Sequence, residues 1–110
     1  MVGGRARSAA PRQLADNPDA WPHANLAGHP AAAVVQDIAA TLAGILADRR
    51  LSLRGLAARS GVNRQAIADL LAGRSWPDVA TIALLEADLG VRLWPVTAPT
   101  GNRGKSLGAG

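Results

Sequence analysis

The stretch Leu56 to Gly73, LAARSGVNRQAIADLLAG, constrains this 110-residue chain more than any other. Ala57 stands four residues before Gly61, and Ile67 and Leu70 follow the glycine at helical spacing. A small residue lets two helices approach closely, and glycine supplies the positive φ of a tight turn. The spacing predicts two short helices crossing steeply. Ala57, Gly61, Val62, Ile67 and Leu70 form the turn and scaffold, while Arg64, Gln65, Ala68 and Asp69 project outward.

The flanking sequence supplies the rest of an all-α domain. Val34, Val35, Ile38, Leu42, Ile45 and Leu46 make a helical stripe beginning near Ala31 and ending near Arg49 and Arg50, where cations suit a helix C-terminus. Ser52 is placed to cap a second helix to Ser60. Asn63 caps a third, Arg64 to Ala72, stopped by Gly73. Asp78 caps a fourth, Val79 to Leu89, stopped by Gly90, with Val79, Ile82, Leu85 and Leu89 as its core face. Val91 to Val96 alternates in a way compatible with a short strand, which Pro95 confines to an edge or an end. Residues 1 to 30, interrupted by Pro11, Pro18, Pro22 and Pro30, read as a disordered arm, and residues 97 to 110 as a disordered tail. One folded domain over 31 to 96 remains.

Charge is uneven along the chain. The segment Arg49 to Arg74 holds six arginines against one acid, Asp69, and so carries +5, whereas Ala33–Asp48 and Ser75–Trp94 are each −2. Positive charge gathered on the paired short helices points to a polyanionic partner, against the alternative of a solvated basic face. Arg and Gln pair with guanine and adenine edges in the major groove. Arg64 and Gln65 sit in the first turn of the third helix, the part of a recognition helix that reaches bases.

At these residues the chain resembles the Cro and lambda-repressor-like helix-turn-helix family. The resemblance runs from about Val35 to Leu93 and includes LAARSGV, the apolar Ile67 and Leu70, the loop AGRSWP and the closing LGV of residues 89 to 91. Small relatives from high-GC bacteria look most alike. The resemblance implies a four- or five-helix domain that binds duplex DNA, usually as a homodimer. It implies base-facing roles for Asn63, Arg64, Gln65 and Asp69, and an approach to phosphate for the loop Gly73, Arg74 and Ser75. Leu53 stands where the family often has a phosphate-bonding glutamine, so Arg54 beside it is the expected replacement. Arg59 is a further phosphate candidate. Gly55 lies inside the second helix, where it costs about 1 kcal/mol relative to Ala.

Several residues admit two readings. Asp69 either accepts from a cytosine amino group or holds Arg64 or Arg74, and the second is favoured. Trp76 is expected to pack against the third or fourth helix and not to stack on a base. Leu84 is either a lone exposed apolar residue or part of a dimer patch with Trp94.

The chain has no cysteine, which excludes disulfides and thiolate metal sites. His23 and His29 lie six apart in a proline-rich segment and are not expected to hold a metal. No nucleophile–base arrangement or phosphate-binding glycine loop is present, so neither enzyme activity nor a cofactor is expected. No apolar run in the sequence reaches the length of a membrane span, no secretory leader is evident, and a cytoplasmic location follows. The expected function is transcriptional regulation, as repressor or autoregulator, with the arginines of the arm (Arg5, Arg7, Arg12) following the DNA backbone or entering the minor groove. The alternatives are an antitoxin that also binds a toxin protein and a protein-interaction or recombination accessory module.

Overall fold

In a computed structural model, which describes residues 9–95, four α-helices follow one another: α1 (Pro30–Arg49), α2 (Leu53–Ser60), α3 (Arg64–Ala72) and α4 (Val79–Leu89). Their ends follow the capping chemistry. Ser52 Oγ accepts from the Gly55 amide, Asn63 Oδ1 from the amides of Gln65 and Ala66, and Asp78 Oδ1 from Thr81. Gly61, Gly73 and Gly90 close α2, α3 and α4 in the left-handed region. Arg50 does the same for α1, with φ 55°, a conformation uncommon for a side chain of its size.

The core lies where all four helices meet. Ile38 and Leu42 of α1, Leu56 of α2, Ile67 and Leu70 of α3 and Leu85 of α4 are almost wholly buried. Each such side chain contributes roughly 1.5–3 kcal/mol relative to exposure. α3 packs on α1 and α2, and α4 packs on α2. Over an 18-residue window α1 has a mean hydropathy of 1.5, enough in length and composition to cross a membrane. Its residues Ala32, Val35, Ile38, Ala39, Leu42 and Leu46 are instead buried within the domain, with α3 and the Pro11–Leu14 turn packed against this helix.

Three expectations are corrected. The disordered arm is not what residues 9–29 form. Two 3-10 turns, Pro11–Leu14 and Pro18–Ala20, place this segment against the helices as a strap. The Trp21 indole donates to Leu71 O at 3.0 Å, and the Trp76 indole donates to Ala9 O at 2.9 Å. Gln36 of α1 both accepts from Ala24 N and donates to Ala24 O. Pro11 and Leu26 are buried. Prolines that interrupt helices do not prevent packing, and a tryptophan supplies a large area to bury. Second, no strand exists among the described residues. Val91–Pro95 is irregular because Glu86 Oε2 accepts from the Leu93 and Trp94 amides at 2.7 and 3.0 Å, which turns the chain back onto α4 and buries Leu93. Third, Val79 is 72% exposed, so the core face of α4 begins at Ile82. Residues 1–8, with Arg5 and Arg7, and residues 96–110, with the expected tail, lie outside the described part.

Candidate nucleic-acid interface

The turn between α2 and α3 is built from the residues that the spacing singled out. Gly61 has φ 82° and its amide donates to Ala57 O, closing α2. Ser60 Oγ accepts from the Val62 amide, and Val62 is buried. Asn63 then starts α3, and Ile67 and Leu70 hold that helix against the core. This anchoring leaves Asn63, Arg64 and Gln65 exposed at the start of the helix, with Asp69 one turn further on.

These four are not equivalent. Asn63 Oδ1 is occupied by two backbone amides, at 2.7 and 3.2 Å, so only its Nδ2 can reach outward. Arg64 has no hydrogen bond or ion pair among the described residues. Gln65 Nε2 donates to Asp69 Oδ1 at 3.0 Å. Asp69 also receives Arg74, whose Nε and Nη2 both lie 3.0 Å from Oδ1. The hydrogen bond from Gln65, then that from Arg74, holds the Asp69 carboxyl below its ordinary value of 3.8. Of the two readings of Asp69, the structure brings it to Arg74 and not to Arg64.

The expected phosphate set divides. Arg54 is exposed and without an ion pair among the described residues, as is Arg50. Arg59 is instead drawn to α4. Its Nη2 lies 3.0 Å from Asp88 Oδ2, by charge proximity without a directed hydrogen bond, beside a carboxylate that is largely covered. Arg49, another cation of the same stretch, donates to Leu89 O at the end of α4. Leu53, where a polar contact was expected, packs against the core. At Gly55 a Cβ would stand 3.1 Å from the capping Ser52 Oγ, which would have to give by a few tenths of an ångström.

The loop after α3 departs most from expectation. Gly73 is buried. Its amide donates to Leu70 O, the Arg74 amide to Asp69 O, and its carbonyl accepts from the Arg12 amide. A Cβ at position 73 would lie 2.6 Å from the Trp21 ring. The strap covers the glycine, and the Gly73 and Arg74 amides are both bonded within the protein, so neither is free to donate to a phosphate. Only the Arg74 guanidinium, 56% exposed, and the half-buried Ser75 remain for that role. Arg12, expected to follow DNA from the arm, donates to Pro18 O and lies 3.8 Å from Asp19.

Sequence reasoning missed Trp21, Gln36 and Glu86, which hold the strap and the C-terminal segment. A signal for Trp21 was available: a chain with three aromatic residues in 110 places one inside the proline-rich segment, and disordered segments are poor in aromatics. Among the described residues no cluster of His, Asp or Glu could hold a metal.

Residues 45–93 match the model of the helix-turn-helix family, a segment that begins within α1 and ends at the buried Leu93. Nothing among curated proteins or solved structures matches the chain.

Proposed function

We propose that this chain, which carries a DNA-binding helix-turn-helix domain of the Cro/C1 type over residues 45–93, is a sequence-specific transcriptional repressor or autoregulator acting as a homodimer in the cytoplasm. The first turn of α3 carries this reading. Arg64 and Gln65 stand exposed on a helix whose other face is anchored by Ile67 and Leu70. α3 enters the major groove, where Arg64 and Gln65 meet base edges and Asn63 contributes its Nδ2 donor. Arg54 and Arg74, with Ser75, meet phosphates and set the register.

The outer face of α4 supports the dimer. Val79, Ala80, Ala83, Leu84 and Ala87 are exposed and uncharged. The acids of this helix are engaged elsewhere: Asp78 caps, Glu86 holds the C-terminal segment, and Asp88 faces Arg59. An exposed apolar face of this kind is a common site of association, and a two-fold axis lets one such face cover its copy. Trp94, 47% exposed, is a further apolar residue open to a partner, beside Val34 and Pro77.

Selection from a random DNA pool tests the reading. A palindrome whose half-sites are about 10 bp apart is the expected product. A pool that converges on no sequence overturns sequence-specific regulation, and a monomer at micromolar concentration with and without the selected site overturns the dimer.

A further inference from the structure

The outward side chains of α3 form a relay. Gly73 turns the chain back with φ 72°, and the Arg74 amide bonds to Asp69 O at 2.9 Å. The Arg74 guanidinium then meets Asp69 Oδ1, and that same oxygen accepts from Gln65 Nε2, each contact at 3.0 Å. A carboxylate only accepts, so the atom of Gln65 facing Asp69 is the amide nitrogen, and Oε1 is directed elsewhere. The primary amide has two hydrogens, and the carboxylate occupies one.

We propose that Asp69, held by Arg74, is a positioning residue that fixes the Gln65 carboxamide so that Oε1 and the remaining N–H are presented together to the edge of an adenine. This rests on the reading of α3 as the helix in the major groove. Oε1 accepts from the adenine N6 amino group and Nε2 donates to N7, the bidentate pairing of this residue type. An unheld glutamine samples many rotamers and must order on binding. Here the ordering precedes DNA, and the negative charge of Asp69 is matched by Arg74 within the protein.

The test uses the full chain and its selected site, with each base pair replaced in turn. Gln65→Ala should flatten discrimination at one pair by about tenfold or more. Asp69→Ala should flatten the same pair by roughly threefold to fivefold, with any change caused by releasing Arg74 shared equally by specific and random DNA. Asp69→Asn keeps an acceptor oxygen and should recover most of the loss. In the Gln65→Ala background, Asp69→Ala should add nothing. In the free protein, the two side-chain amide protons of Gln65 should be well separated by NMR in the wild type and should converge in Asp69→Ala, with helical circular dichroism unchanged.

Loss of discrimination at a different pair, or an effect that persists without Gln65, would mean that Asp69 touches a base itself and would overturn the proposal. Full discrimination in Asp69→Ala, with Gln65→Ala impaired, would also overturn it while sparing the reading of α3. If Gln65→Ala itself binds and discriminates as the wild type, that reading fails too.

Discussion

The α2–α3 pair and the strap of residues 9–29 complete the same fold by different means. The pair is written in repeating chemistry: apolar residues at helical spacing, a capping side chain at each start and a glycine at each end. The strap is written in single anchors: one indole on Leu71, one amide on Gly73, one glutamine gripping Ala24. A periodic element is recognised by its own residues, whereas an anchored one is recognised only with its partner in place. The strap therefore looks like an arm in the sequence and like a part of the domain in the structure.

Deleting residues 1–29 should have the largest effect. It strips Pro11, Trp21 and Leu26 from the helices and should lower the unfolding free energy by about 5 kcal/mol, a large part of what a small domain has. Urea denaturation measures this, and a change under about 1 kcal/mol would make the strap an arm after all.

Paired glycine substitutions sharpen the contrast. Gly61→Ala should cost about 1–2 kcal/mol, because only the left-handed backbone is strained and nothing lies within 4 Å of the new Cβ. Gly73→Ala should cost about 3 kcal/mol, because the same strain is joined by collision with Trp21. Equal losses in thermal or urea unfolding would mean that Trp21 moves aside freely. Within the regular region, Ser52→Ala should cost about 1 kcal/mol through loss of the α2 cap, read by the same measurement.

The smallest effect is that of acid. Asp69, Asp78 and Glu86 are held below their ordinary values of 3.8, 3.8 and 4.5, Asp78 by the Thr81 amide and Glu86 first by the Trp94 amide and then by that of Leu93. Each unfolded carboxyl takes up its proton more readily than the folded one. These groups thus add stability that is fully present above about pH 5 and is lost as pH falls through the depressed folded values. Urea midpoints should be flat from pH 5 to 8 on their account and fall below 4.5, with a shallower fall in Glu86→Gln. An equally steep fall in that variant would show that the C-terminal segment is not held by the Glu86 carboxylate.

The legible part of the molecule follows from the same contrast. All four helices, with their caps at Ser52, Asn63 and Asp78, stand where pattern and propensity put them, because such signals act over a few residues. The candidate interface was half legible. Exposure of Arg64 and Gln65 follows from burial of Ile67 and Leu70 on the other face. The capture of Arg59 by Asp88, the burial of Gly73 under Trp21 and the exposure of Val79 involve residues far apart in the chain or the limits of a packing surface.

The sequence by itself determined an all-helical domain with a helix-turn-helix, since spacing, capping and turn chemistry are local. Tertiary structure alone decided which cations remain available, which loop amides are already bonded, and that the proline-rich N-terminal segment belongs to the domain. Those outcomes depend on which groups meet across long stretches of chain, and a hydrogen bond or ion pair of that kind leaves no periodic trace in the residues that make it.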